Sequence, residues 1–256
     1  MILALLQARM TSTRMPGKVL LPICGKPMIV LQVERVSRSR NIDRLIVATS
    51  NQADDTPLAR ACEAADVACF RGDLDDVLDR FRQAARPLNP DHVVRLTGDC
   101  PLTDPAVIDT VIDFHMAGGH DYTTNALEPT WPDGHDVEIF RHELLETAWQ
   151  RATLPSEREH VTPYMYNAGR YEIAHCRNDR DLSALRWTVD EPEDFAFVTA
   201  VFEQLYEINP AFGTADVLAL MDRFPELGRI NKHIGRNEGY QTSLKKDREH
   251  QANRSQ

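Results

Sequence analysis

The chain opens on an apolar run, Ile2-Leu3-Ala4-Leu5-Leu6, that passes without a break into Gln7-Ala8-Arg9-Met10-Thr11-Ser12-Thr13-Arg14-Met15-Pro16-Gly17-Lys18. A short apolar run bounded by turn signals reads as a buried strand. The loop after it combines Arg9, Arg14 and Lys18 with hydroxyl side chains and a Pro-Gly pair that exposes backbone N–H groups. That mixture makes a concave anion site of the kind that holds a triphosphate. Most Arg and Lys are ordinary surface charges, but residues just beyond the carboxyl end of a strand in an α/β sheet face the ligand crevice. The loop contains neither G-x-G-x-x-G nor G-x-x-x-x-G-K-[ST], which argues against a dinucleotide-dependent dehydrogenase and a Walker ATPase.

Strand-like runs recur at 2–6, 44–49, 67–70 and 92–96, separated by stretches with helical spacing of apolar residues. Alternation of this kind predicts an α/β fold of three layers with a mostly parallel sheet and crossover helices. Pro27, Pro105 and Pro192 each stand where a first helical turn tolerates proline, and they predict helices beginning there, the latter two over 106–116 and 193–206. Past residue 117 the pattern changes. Gly118-Gly119 and Trp131-Pro132-Asp133-Gly134 punctuate it, a strand is predicted at 136–140, and helices are predicted at 142–151 and 157–167. This reads as an inserted α/β segment, about 118–178, over the carboxyl edge of the sheet. A chain of 256 residues, 42% hydrophobic, is expected to form one domain over 1–244. The polar stretch 245–256 has no apolar periodicity and is expected to be disordered.

A formal net charge of -10 argues against nucleic-acid binding while leaving room for a local cationic pocket. Cys24, Cys62, Cys69, Cys100 and Cys176 are odd in number, widely spaced and without a C-x-x-C pair, as expected of reduced thiols in a cytoplasmic protein. Neither a signal peptide nor a membrane span is read.

Asp99 follows the predicted strand at 92–96 in Thr97-Gly98-Asp99-Cys100-Pro101, so it belongs to the same sheet edge as the cationic loop. Asp190 ends a second apolar run in Leu185-Arg186-Trp187-Thr188-Val189-Asp190-Glu191-Pro192. A hard cation such as Mg²⁺ takes one or two carboxylates from the protein and leaves its other positions to phosphate and water. The competing reading is that such Asp residues cap helices, and it is accepted for Asp104. Cys100 is not read as a nucleophile, because neighbouring acidic groups disfavour its thiolate. Ser156 and Glu159 fit a capping box, and Trp131 and Trp187 are expected to be core anchors.

These motifs together resemble the cytidylyltransferases that activate acidic sugars. The closest likeness is to the branch named for spore-coat polysaccharide synthesis, related to the acylneuraminate and 3-deoxy-manno-octulosonate enzymes. The resemblance rests on the loop 7–18 with Gly25-Lys26-Pro27, on Arg71-Gly72-Asp73 with Asp76-Val77-Leu78-Asp79-Arg80, and on Leu96-Thr97-Gly98-Asp99-Cys100-Pro101-Leu102. It continues through Pro132-Asp133-Gly134-His135-Asp136-Val137-Glu138, Glu157-Arg158-Glu159-His160-Val161-Thr162-Pro163, Arg186-Trp187-Thr188-Val189-Asp190 and Asn237-Glu238-Gly239-Tyr240.

The resemblance implies a Rossmann-like sheet of the nucleotide-diphospho-sugar transferase type and the transfer of CMP from CTP to an acidic sugar or related acceptor, with pyrophosphate released. It implies that Ala8, Arg9, Ser12, Arg14, Lys18, Arg71, Asp76 and Arg80 bind the nucleotide and that Asp99 and Asp190 hold Mg²⁺. Arg9, Lys18, Asp99 and Asp190 are then the catalytic set. Asp133, His135, Asp136, Glu138, Arg158 and His160 are candidates for the acceptor pocket, and a homodimer is expected. Where the best-known sugar-acid enzymes have Gln-Gly-Asp-Glu-Pro, this chain has Thr97-Gly98-Asp99-Cys100-Pro101, so the acceptor need not be the usual sugar acid. A glycosyltransferase on the same fold, or a nucleotide-binding subunit without activity, stays open at this point.

Overall fold

A computed structural model describes residues 1–236 and 238–254; of the last stretch, the side chains of 238–242, His250, Asn253 and Arg254 are not described. The Asn237-Glu238-Gly239-Tyr240 motif and the end of the chain at 255–256 therefore lie outside the described side chains or residues.

The opening run forms β1 (Ile2–Gln7), and its alternate residues enter two different cores. Ala4 and Leu6 pack on one face of the sheet, Leu3 and Leu5 on the other. Because β1 is apolar on both faces, it sits in the middle of the sheet and not at an edge. It is flanked in parallel by β4 (Arg44–Ser50) and β6 (His92–Thr97), with β5 (Cys69–Gly72) beyond β4. The full order is β5-β4-β1-β6-β8-β7-β9, with β7 (Tyr122–Thr124), β8 (Glu138–Arg141) and β9 (Ile173–His175) completing seven strands, while β2 (Pro22–Ile23) and β3 (Lys26–Pro27) form a separate antiparallel pair. Within the seven-stranded sheet only β8 runs against the rest, pairing antiparallel with both β6 and β7.

One face carries α1 (Met28–Val36), α2 (Thr56–Ala64), α4 (Pro105–Gly118) and α8 (Pro192–Leu205). The other carries α3 (Val77–Ala85), α5 (His142–Arg151) and α7 (Pro163–Asn167). The three-layer expectation holds. The chain runs from β1 outward to β5 and then returns to β6 on the other side of β1, so the switch point lies between the carboxyl ends of β1 and β6.

Several local expectations are corrected. The segment 118–178 does not merely lie over the sheet; it supplies β7, β8 and β9. The strand predicted at 67–70 starts at Cys69, because Val67 N–H still bonds Cys62 C=O (2.9 Å) in the turn that closes α2. The helix predicted at 157–167 is two helices, α6 (Pro155–His160) and α7. Val161 between them has φ 71°, which ends the first helix, and Pro163 stands in the first turn of the second, where its missing N–H costs no helical bond.

Ser156 is not the helix cap. Glu157 accepts the N–H groups of Thr153 (2.9 Å) and Leu154 (3.0 Å), while Ser156 donates through N–H (2.9 Å) and Oγ (2.5 Å) to buried Asp247. Asp247 belongs to α10 (Glu238–Arg254), which follows α9 (Thr214–Arg223). The stretch from 245 is thus helical up to Arg254 and not disordered. Without an apolar stripe, the helix is tied to the start of α6 through this carboxylate.

Candidate functional site

The loop after β1 is built around one carbonyl. Met10 C=O accepts N–H from Ser12 (3.0 Å) and from Gly17 (2.8 Å), drawing the far end of the loop back to its start. Gly17 takes φ 75°, a left-handed value that glycine adopts at no steric cost, and the turn delivers Lys18 inward. On the neighbouring strand, Gly98 N–H bonds Gln7 C=O at 2.7 Å. A Cβ at Gly98 would lie 2.7 Å from the Ala8 Cβ, so only glycine allows the two strand ends this approach.

Lys18 is 7% exposed, and its ammonium donates to Val189 C=O (2.6 Å) and Asp190 Oδ1 (2.9 Å) with Asp99 Oδ2 at 3.4 Å. The two carboxylates predicted from sequence therefore meet on a single cation. Asp99 lies two residues past the end of β6, and Asp190 is not at a strand end as expected, since 185–190 forms only an isolated bridge at Arg186. Burial works against the Lys18 charge, but Asp99 and Asp190 outweigh it and raise its pKa. Burial likewise opposes the Asp99 carboxylate, yet Lys18 and hydrogen bonds from Thr97 and Cys100 hold its pKa below the ordinary range. Asp190 also receives Arg14 (2.9 Å) and Arg186 (3.1 Å). Arg186 in turn holds Asp133 (2.9 Å) and the fully buried Asp194 (2.9 Å). Cys100 is buried, and burial with the adjacent Asp99 pushes its thiol pKa well up, so it stays a thiol.

Two clefts share this wall. The first, about 310 Å³, lies between the cationic loop, the start of α3 and the end of β6, and is lined by Ala8, Arg9, Ser12, Arg14, Lys18 and Arg80 among others. The second, about 290 Å³, opens toward β8 and is lined by Asp133, Asp136, Glu138, Thr188 and Tyr166 among others. Asp99, Asp190, Arg14, Arg95, Thr97 and His160 face both. Arg80 is 2% exposed, and burial lowers its pKa to about 10 with Arg9 adding to the effect.

Other expected site residues are placed differently. Arg71 lines neither cleft; its guanidinium donates to Ser50 C=O (3.0 Å) and Gln52 C=O (2.7 Å) at the end of β4. Asp76 caps α3 by accepting Asp79 N–H (2.9 Å) and pairs with Arg158, so both tie α3 to α6 and neither lines a cleft. A charge at a helix start that also finds a cation across the fold is already engaged by both.

His135 points into the core, bonded through Nε2 to Leu102 C=O (3.0 Å) and edge-on to Trp187; burial drops its pKa to about 4. Glu138 lies in the second cleft but is held by Arg95, Tyr122 OH (2.5 Å) and Thr162 Oγ1 (2.6 Å). His160 Nε2 meets Ser243 Oγ at 2.9 Å, and burial lowers its pKa to about 4. Asp136 pairs with Arg236 at 2.5 Å. Asp104 caps α4 through Ala106 N–H (2.9 Å).

Sequence reasoning passed over Arg95, which faces both clefts and joins Gln7 Oε1 (3.2 Å) to Glu138. Its signal was a lone charge inside the apolar strand His92-Val93-Val94-Arg95-Leu96. Among the described residues no group of three or more His, Cys, Asp or Glu side chains is arranged to hold a metal ion. No described helix is long and apolar enough to cross a membrane.

A cationic loop and two carboxylates at the switch point of a mostly parallel sheet define an α/β fold of the nucleotidyltransferase type. Residues 3–201 match the family model described as cytidylyltransferase, and the chain belongs to that family. The spore coat polysaccharide biosynthesis protein SpsF of Bacillus subtilis is 33% identical over 238 residues, covering 88% of this chain and 95% of that protein. A 3-deoxy-manno-octulosonate cytidylyltransferase of Anaeromyxobacter sp. is 40% identical over 133 residues, 50% of this chain and 52% of that one. Among solved structures, a cytidylyltransferase from Leptospira borgpetersenii superposes with a TM-score of 0.84 at 32% identity, covering 89% of this chain and 96% of its own.

Proposed function

We propose that this chain transfers CMP from CTP to a sugar acid or related acceptor, releasing pyrophosphate, in the synthesis of a surface polysaccharide. The observation that carries this reading is the shared wall: Asp99 and Asp190 stand between a cationic cleft and a second cleft of similar size. An acceptor oxygen in the second cleft then approaches the α-phosphorus of a nucleotide in the first, opposite the departing pyrophosphate. Arg9, Arg14 and Lys18 place positive charge where the triphosphate lies, so catalysis is positioning and electrostatics with no protein nucleophile.

The residues at the wall fit a hard divalent cation. Two carboxylate oxygens converge on the Lys18 ammonium at 2.9 and 3.4 Å, and two protein carboxylates are what Mg²⁺ takes when phosphate and water complete its shell. Bound by Asp99 and Asp190, Mg²⁺ supplies charge to phosphate oxygens. A homodimer in the cytoplasm completes the reading, supported by resemblance and by cysteines that are all free; light scattering tests the dimer.

The deciding experiment incubates the protein with CTP, Mg²⁺ and a panel of sugar acids, reading pyrophosphate and, by mass spectrometry, a CMP conjugate. Absence of release with every acceptor, joined to no CTP-dependent rise in Tm, sinks the proposal. A glycosyltransferase would instead consume a nucleotide sugar and leave CTP untouched.

A further inference from the structure

The loop that carries Arg9, Arg14 and Lys18 is not self-supporting. Two of its internal hydrogen bonds converge on Met10, whose carbonyl takes the N–H groups of Ser12 and Gly17 and so joins the two ends of the loop. What fixes Met10 itself is a residue outside the loop. Its N–H donates at 2.6 Å to Oδ1 of Asp55, and Oδ2 of the same carboxylate takes Ser50 N–H at 3.0 Å.

Asp55 closes the short 3₁₀ helix Ala53–Asp55 between β4 and α2 and is 0% exposed. Burial alone would raise its pKa, but the Met10 and Ser50 donors bring it below the ordinary carboxylate range, so it is ionised at neutral pH. One buried carboxylate thus clamps the pivot of the cationic loop to the end of the adjacent strand.

We propose that Asp55 is a positioning residue for the triphosphate: it holds Met10, and through the Met10 carbonyl it sets Gly17 and the Lys18 that follows, without touching the nucleotide. This rests on the reading of the first cleft as the CTP site. A hydrogen bond to a charged group contributes roughly 1.5–3 kcal/mol, which corresponds to about tenfold or more in an equilibrium constant.

Asp55→Asn keeps the size and one accepting oxygen while removing the charge and placing an amide opposite one of the two N–H donors. The test measures CTP binding by calorimetry, Tm, and the rate of trypsin cleavage after Arg9 and Arg14, for wild type and variant. The expected result is CTP affinity weakened about tenfold or more, loop cleavage accelerated at least as much, and cleavage elsewhere unchanged. Wild-type CTP binding with an Asp55→Asn variant equal to it in affinity and cleavage overturns the proposal.

If wild type binds no CTP, the nucleotide reading falls and the triphosphate role of Asp55 falls with it. Accelerated loop cleavage in the variant then shows that the failure lies with the ligand and not with the clamp. Hydrogen exchange on the wild-type protein needs no variant: amides of Met10 and Gly17 are expected to exchange slowly, and exchange at the rate of an open loop overturns the clamp.

Discussion

Replacing Lys18 with Met removes the cation on which Asp99 and Asp190 converge while keeping most of the buried stem volume. Asp190 keeps Arg14 and Arg186 as partners. Asp99 keeps hydrogen bonds from neutral groups, Cys100 Sγ among them (3.4 Å), so it is the group left uncompensated. Breaking a buried pair by removing one partner costs roughly 3–5 kcal/mol. The Asp99 side chain is 29% exposed, which places this case at the lower end, about 3 kcal/mol. For a chain of this size that is a fall in Tm of roughly 6–12 °C at neutral pH.

The pH dependence sharpens the test. In the wild type the folded Asp99 pKa lies below its unfolded value, so pairing stabilises above the unfolded pKa and that contribution fades as pH falls through the folded one. In the variant burial is opposed only by the hydrogen bonds from Thr97 and Cys100, so the Asp99 pKa rises and less stabilisation is left to be lost in acid. The gap between wild type and Lys18→Met therefore narrows on going from pH 7 toward pH 4. Lys18 has a raised pKa, so its own contribution is present below the unfolded value and is lost only in strong alkali. Urea unfolding of both proteins at a series of pH values measures the gap. A Tm change under about 2 °C, or a gap that widens in acid, refutes the electrostatic account of this wall.

Asp99→Asn is expected to lose turnover while keeping the melting temperature within a few degrees; an active variant, assayed by pyrophosphate release, removes Asp99 from the metal pair. Asp76→Ala deletes a helix cap and the Arg158 pair, costing about 1 kcal/mol of stability, while calorimetry is expected to find CTP affinity unchanged within about twofold. Asp136 has its pKa pushed up to about 7 by burial, with Arg236 opposing and Asp133 adding to it. Its folded pKa is above the unfolded value, so its ionisation erodes stability as pH rises from about 4 to about 7. Asp136→Asn should gain on the wild type across that window in urea titrations, and a constant difference contradicts this.

The sheet was legible because it is written in runs. Ile2 to Leu6 and His92 to Leu96 are apolar enough to be strands buried on both faces, and Pro105 and Pro192 mark helix starts that the structure places at those residues. The meeting of Asp99 with Asp190 was legible only as a pattern, since the spacing of ninety-one residues between them carries no geometry. The structure supplies the reason they meet, a Lys18 ammonium reaching both.

What sequence could not give is the engagement of polar side chains by partners far along the chain. Asp76 and Arg158 satisfy each other across eighty-two positions, and His135 turns into the core against Trp187. Asp55 sits in an Asn-Gln-Ala-Asp-Asp run that looks like any solvated turn, and the backbone N–H groups of Met10 and Ser50 that donate to it leave no trace in a sequence.

The same network sets a condition on binding. Arg14 is held by Asp190 at 2.9 Å and by Glu191 at 3.4 Å, and Lys18 is shared between Asp190 and Asp99. A triphosphate entering the first cleft competes with Asp190 for both cations. Every cation it draws away leaves more negative charge on the Asp99–Asp190 wall, which is the arrangement a divalent cation requires. On the proposed reading nucleotide and metal are expected to favour one another through Asp190, and by linkage the effect is reciprocal. Calorimetric titration of CTP with and without Mg²⁺ measures this coupling. Arg14→Gln is expected to weaken CTP binding and to shrink the coupling together, because the side chain that is exchanged between carboxylate and phosphate is then missing. A variant that loses affinity but keeps the full coupling assigns the exchange to Lys18 alone.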